Sequence, residues 1–428
     1  MKSILAIFLI PFSICIFHPT VRAQNPASEV AGIPVNYDEL KIPSYSLPDP
    51  LKLASGKKVT SAKIWYQKRR PEILDLFKKE QFGKIPNRDE ISFRVFESGS
   101  PAFDHQVIRK QVRIYFTKDT TLLKADLLVY LPARSEGPVP LLLKIGFSAN
   151  SNSVDDQEVK GGTIWTREGK KIPASEGRKF GSFDVKKFTS EGIGVAFIYY
   201  GDIEPDFADG IKYGIRGHYL KPGETWPAPD EWGTISAWAW GLSCVMDYLE
   251  SDDQIDAKSV ALYGVSRLGK TVLWTGALDT RFAMVMASCS GEGGAAISRR
   301  QYGETIKHMI DPTRYHYQFC DNRSKYSSDP GTCPVDAHML ISLIAPRPLL
   351  LQTGDTDYWS DPKGEFEAAV AAEAVYQLLG KKGLETEAWP PAGTAILNDL
   401  GYYMHAGGHG SLPDDFNVLI DFMKKHFF

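Results

Sequence analysis

A serine hydroxyl becomes a useful nucleophile when a sharp turn lifts it clear of its own backbone, and Ser266 stands at such a turn. Residues 260–263 are a short apolar run, Gly264-Val265-Ser266-Arg267 reads as a turn, and residues 268–278 have helical character. Strand, tight turn and helix with a serine at the apex is how a hydrolase exposes its nucleophile. The amides that open the following helix then point at the reacting oxygen. The glycines are spaced Gly264, Ser266, Gly269, so the second is one residue later than in Gly-x-Ser-x-Gly. The same residues would also suit an ordinary strand-to-helix turn with a capping serine. Arg267 and Lys270 argue for chemistry, because two cations beside a nucleophile suit a negatively charged substrate or intermediate.

The serine needs a base to take its proton, and the base needs an acid to orient it. In α/β-hydrolases the chain order is serine, acid, histidine. Downstream, the apolar run Leu349-Leu350-Leu351 ends in Gln352-Thr353-Gly354-Asp355-Thr356-Asp357. Asp357 is placed for a strand-end acid and Asp355 is the second choice, although Gly-Asp-Thr-Asp is also good turn composition. The base is expected in Tyr403-Met404-His405-Ala406-Gly407-Gly408-His409. His409 lies in the glycine loop and is favoured; His405 still sits on the strand, where a histidine is more often packed. Their spacing of four carries no zinc-binding implication, since no helix joins them and no His-Glu-x-x-His occurs. Glu292, in Ser290-Gly291-Glu292-Gly293-Gly294, is a further acid, read here as a solvated carboxylate in a glycine loop. His338 precedes a helix and is read as structural.

The elements that must position these residues alternate. Strands are expected over 106–116, 122–131, 140–147, 193–200, 260–263, 284–289, 348–353 and 401–405. Helices are expected over 61–82, kinked at Pro71, and over 231–249, 268–278, 365–379 and 415–427. Residues 24–60 read as an extended lead-in, 148–186 as a long surface insertion and 201–232 as loop. Alternation of this kind implies β-α-β units in one mostly parallel sheet flanked by helices. The fold class is α/β, with residues 24–428 as one large domain carrying long loop insertions.

The chain has 428 residues, 43% hydrophobic and 24% charged, which is a globular composition. A formal net charge of −3 argues against nucleic acid as the main partner. Met1-Lys2, the apolar run 4–17 and Val21-Arg22-Ala23 before Gln24 read as a secretory signal peptide over 1–23, with a soluble secreted or periplasmic protein after cleavage. Cleavage removes Cys15 and leaves Cys244, Cys289, Cys320 and Cys333 in a compartment that permits disulfides. Sequence does not choose among the three full pairings; Cys320 with Cys333, flanking a polar loop, is the easiest to picture. Cys244 and Cys289 suit buried free thiols.

Taken together, the motifs resemble the glucuronoyl esterases, carbohydrate esterase family 15, and the bacterial branch in particular. The resemblance runs over roughly 60–425. It rests on Gly264-Val265-Ser266-Arg267-Leu268-Gly269-Lys270, Tyr200-Gly201-Asp202-Ile203-Glu204-Pro205-Asp206 and Trp238-Ala239-Trp240-Gly241-Leu242. Further matches are Ser290-Gly291-Glu292-Gly293-Gly294, Pro334-Val335-Asp336-Ala337-His338, Ala345-Pro346-Arg347-Pro348 and the run from Asp357 to Glu365. It implies an α/β-hydrolase that cleaves the ester between glucuronic acid on xylan and lignin alcohols, without metal or organic cofactor. It implies Ser266 as nucleophile, His409 as base and Arg267 at the oxyanion, with Lys270, Glu304 and Trp359 holding the sugar ring. Fungal members carry a cysteine before the serine, where this chain has Val265. They carry their acid at the position of Cys289, which cannot serve, so the resemblance to bacterial members puts the acid at Asp357. No membrane or nucleic-acid partner is expected, and the protein is expected to act as a monomer.

Overall fold

The computed structural model describes residues 27–428; the signal-peptide reading, Cys15 included, lies outside them. The strands of the main sheet are β1 (Ser92–Ala102), β2 (Val107–Tyr115), β3 (Lys124–Pro132), β4 (Val139–Gly146), β5 (Gly194–Tyr199), β6 (Ile255–Val265), β7 (Met284–Ser288), β8 (Leu349–Gly354), β9 (Ala395–Ile396) and β10 (Leu400–His405). Their spatial order is β9-β10-β8-β7-β6-β4-β5-β3-β2-β1. The six strands from β5 to β10 in that order are parallel to their neighbours, and both edges are antiparallel. This is the α/β-hydrolase arrangement: β6, which leads into Ser266, is central, and β8 and β10, which lead toward Asp357 and His409, follow toward one edge.

The central strands read as unbroken apolar runs because both of their faces are covered. In β6, Val260 and Leu262 pack on one face while Ala261 and Tyr263 pack on the other. The first face is covered by α1 (Arg70–Glu80), α3 (Thr234–Leu249), α4 (Arg267–Leu278), α5 (Ala337–Ser342) and α6 (Pro362–Leu378). The second is covered by α2 (Val185–Thr189) and α7 (Asp415–Phe427). Helix α3 is apolar nearly all round, with Trp238 fully buried, as befits a helix enclosed on every side. Helix α7 is one-sided: Leu419, Phe422 and Met423 face the sheet while Lys424 and Lys425 face out.

Several expectations need amending. The break at Pro71 is absent; a π-helical stretch, Trp65–Arg69, leads without interruption into α1, whose first turn contains Pro71. Strand β1 was not foreseen. It is an exposed edge of mixed polar residues, so neither apolar run nor strict alternation marks it. The four described cysteines, Cys244, Cys289, Cys320 and Cys333, are all buried and free, so the Cys320–Cys333 bridge does not form. The insertion at 148–186 holds a small hairpin, Thr163–Trp165 with Lys171–Pro173, and the 201–232 region holds short helical turns rather than plain loop. Trp165 pins the two together, with its indole donating to Gly201 O and its ring 4.8 Å from that of Tyr213.

Candidate active site

Ser266 is the hinge between β6 and α4, in a left-handed conformation with φ 61° and ψ −129°. Such a backbone is strained for a residue with a side chain and is kept only when its surroundings fix it. The flanking glycines show how. A Cβ on Gly264 would overlap the Leu268 carbonyl, and one on Gly269 would lie 2.8 Å from Ser288 O. The late second glycine therefore does a specific job: it lets the first turn of α4 press against the end of β7. Ser266 N donates to Ser288 O at 2.8 Å, and Ser266 O accepts from Lys270 N, which leaves the first amides of α4 free.

The parallel pairing of β8 and β10 sets Gly354 beside His405, so their loops leave the sheet together. Asp355 stitches them: its backbone N donates to His405 O, and its Oδ1 accepts from Gly407 N at 2.8 Å. That stitching puts Asp357 Oδ2 2.8 Å from His409 Nδ1. Asp357 is buried, while the His409 side chain is 43% exposed. Ser360 Oγ also reaches Nδ1, at 3.3 Å. His405 is packed, as expected of a strand histidine, with Nδ1 3.1 Å from Asp415 Oδ2 and Nε2 against Gly408 O. The elbow and the histidine loop meet through Cys289. It follows Ser288, and its Sγ lies 3.4 Å from Gly410 N and 3.5 Å from Gly410 O. Among the described residues no hydrogen bond joins Ser266 Oγ to His409; such a bond commonly tightens only around substrate.

Arg267 is clamped. One guanidinium nitrogen pairs with Asp206, and the plane lies 4.8 Å from the Tyr315 ring centroid and 5.9 Å from that of Phe147. Asp206 is in turn held by Tyr317 Oη at 3.0 Å and Gln318 Nε2 at 2.7 Å. Burial alone would lower the Arg267 pKa; the Asp206 charge more than reverses this, so the net direction is up. Lys270 is buried with Nζ 3.8 Å from Glu304 Oε2, and burial lowers its pKa against the pull of Glu304. Glu304 Oε1 accepts from Arg314 at 2.8 Å, Glu304 N donates to Trp359 O, and the Arg314 guanidinium lies 5.1 Å from the Trp359 ring. The three expected sugar-holding residues thus stand in one cluster, joined by Arg314. Tyr37, from the lead-in, is also near: burial first, then the charges of Asp357 and Glu304, raise its pKa.

Sequence reasoning missed Arg314, Asp206 and Tyr37. Asp206 lay within a quoted motif without an assigned role, whereas Arg314 and Tyr37 carry no local signal. Glu292 corrects an expectation. It is not solvated but buried, paired with Arg323 at 2.6 Å and accepting from Ser298 at 3.0 Å. Its glycines let the loop fold back under Phe319, and that removes the carboxylate from solvent and from His409 alike. Among the described residues, the groups near enough to share a metal ion are Cys289, Asp357 and His409, whose ligand atoms lie within 4.8 Å of one another.

Fold and site define a carboxylic ester hydrolase of the α/β-hydrolase class. Residues 221–380 match the family model described as glucuronyl esterase, fungi. The chain is 43% identical over 399 residues to carbohydrate esterase MZ0003 of an unknown prokaryotic organism, covering 91% of this chain and 92% of that one. A solved glucuronoyl esterase from Solibacter usitatus is 42% identical, with a TM-score of 0.87 over 91% of this chain and 100% of the other. A promiscuous CE15 esterase from a marine bacterial metagenome is 41% identical, with a TM-score of 0.83 over 92% and 100%. The chain belongs to carbohydrate esterase family 15, the glucuronoyl esterases.

Proposed function

We propose that this is a secreted serine esterase that hydrolyses glucuronoyl esters, 4-O-methylated or not, linking xylan to lignin alcohols. The curated fungal relatives, including one from Schizophyllum commune that is 34% identical over 154 residues, are named 4-O-methyl-glucuronoyl methylesterases. The observation that carries the mechanism is the 2.8 Å bond between Asp357 and His409 beside a strained serine elbow. Ser266 Oγ attacks the ester carbonyl while His409 Nε2 takes its proton. Asp357 keeps the other proton on Nδ1 and stabilises the imidazolium. The oxyanion is met by the Arg267 guanidinium and by amides at the start of α4, aided by the loop around Gly146-Phe147. His409 then protonates the departing alcohol, and water repeats the cycle on the acyl-enzyme. Lys270, Glu304 and Arg314 supply donors and an acceptor for sugar hydroxyls, and Trp359 supplies a flat face.

Residues 24–428 act as one hydrolase unit, a reading supported by the continuous sheet. Secretion is supported by the amino-terminal apolar run; among the described residues no helix is long and apolar enough to cross a membrane. The assignment of the acid is tested by replacing each loop aspartate with asparagine. Asp357→Asn lowers kcat/KM on benzyl glucuronate by about 10⁴-fold, as loss of a triad acid does. Asp355→Asn, which keeps an acceptor for Gly407 N, stays near wild type. The reverse order would move the acid to Asp355.

A further inference from the structure

We propose that Cys289, Asp357 and His409 form a binding site for a soft divalent cation, zinc or cadmium, whose occupancy switches the esterase off. The binding stands on geometry alone; the inhibition rests on the catalytic reading above. Sγ, a carboxylate oxygen and a ring nitrogen of His409 lie within 4.8 Å of one another, on three separate loops that leave β7, β8 and β10, and Nδ1 is the ring nitrogen 2.8 Å from Asp357 Oδ2. Ligand atoms of a tetrahedral zinc site stand roughly 3.4–3.6 Å apart, given zinc–ligand bonds near 2.0–2.3 Å. The trio meets this if Asp357 and His409, 2.8 Å apart, part by roughly half an ångström and the wider-spaced atoms, no more than 4.8 Å apart, draw together by up to about an ångström. Ser360 Oγ, 3.3 Å from Nδ1, and water entering past the exposed His409 ring are candidates for the fourth position.

Charge and protons balance. A divalent cation, the Cys289 thiolate and the Asp357 carboxylate sum to zero, which suits a site with two buried ligands. The thiol releases one proton to solvent. The proton on His409 Nδ1 moves to Nε2, because the metal takes the Nδ1 lone pair. That nitrogen is the one the reaction uses as its base, so a metal-bound His409 cannot accept the Ser266 proton. Only a cation that binds thiolate strongly displaces the Cys289 proton. Magnesium and calcium prefer oxygen ligands and leave the enzyme active.

The test is a titration of the full chain with zinc or cadmium in chelator-washed buffer, wild type against Cys289→Ser. Two signals are followed: the ultraviolet thiolate-to-cadmium charge-transfer band and the rate of benzyl glucuronate hydrolysis. Wild type is expected to gain the band and lose activity together, reversibly with EDTA, and to ignore magnesium. Cys289→Ser, each rate being referred to the variant's own metal-free rate, loses the band and needs at least about tenfold more zinc for the same inhibition. Circular dichroism reports that the variant folds; His409→Gln, with the thiol intact, is the second variant and weakens the band. An unchanged band, or unchanged zinc sensitivity, in Cys289→Ser overturns the proposal. A normal cadmium band on a chain that cleaves no glucuronate ester would overturn the functional reading and leave the metal site standing.

Discussion

The guanidinium beside the serine elbow is held by a neighbour that has no chemical step of its own. Asp206 does this for Arg267: it opposes the guanidinium with one oxygen and is anchored by Tyr317 and Gln318 through the other. Asp206→Asn preserves the shape and the anchoring acceptor but removes the opposing charge. Removal of a whole oxyanion donor costs about 10²–10³ in kcat, so a loosened one is expected to cost about 10- to 100-fold with KM nearly unchanged. Steady-state kinetics on benzyl glucuronate checks this; a raised KM at full kcat would assign Arg267 to substrate binding instead. The same division explains what could be read at this scale. Ser266, Asp357 and His409 announce themselves because a nucleophile, an acid and a base must follow strand ends in a fixed order. Lys270, Glu304 and Trp359 came through family resemblance. Arg314 and Tyr37 reach the site from segments whose path no local pattern reveals. Glu292 was misjudged for the same reason, since its partner Arg323 is distant in sequence.

At the scale of elements, the site depends on how closely α4 and α6 approach the sheet. Gly269 faces Ser288 O with no room for a methyl group, so Gly269→Ala must push the first turn of α4 off β7. The expected loss is about 1–3 kcal/mol, seen as a lower Tm. An unchanged Tm would show that the elbow tolerates more slack than this packing allows. Glu365, in the first turn of α6, ties that helix to the loop after β7: Ser290 Oγ and Gly291 N both donate to its Oε1. Burial raises its pKa from the ordinary 4.5 to about 8. The native state therefore holds a proton that the unfolded chain gives up above pH 4.5. The stabilisation is complete below that pH and is lost progressively as pH rises to about 8. Glu365→Gln retains the acceptor and cannot titrate, so its Tm should fall less between pH 5 and pH 8 than that of wild type. Equal slopes would mean Glu365 is ionised throughout. The parallel strands were legible because coverage on both faces demands unbroken apolar runs. Strand β1 was not, because an edge strand can be built from residues that suit solvent.

At the scale of the whole molecule, two regions read as lead-in and loop bring side chains to the site. The lead-in brings Tyr37 toward Asp357 and Glu304, and the insertion at 148–186 packs through Trp165 onto the 201–232 region that carries Asp206. The sheet and its helices followed from pattern, whereas the placement of these long segments depends on contacts far apart in the chain. All of this architecture serves one claim: a charged sugar ester is held over Ser266 and cleaved with the help of Asp357. The most direct measurement compares hydrolysis of benzyl glucuronate and of an aryl acetate by the mature protein, Ser266→Ala and Asp357→Ala. The glucuronate ester is expected to be cleaved in preference to the acetate, and either substitution to lower that rate by several orders of magnitude. Cleavage of the acetate alone, or near-full activity in Asp357→Ala, would contradict that claim.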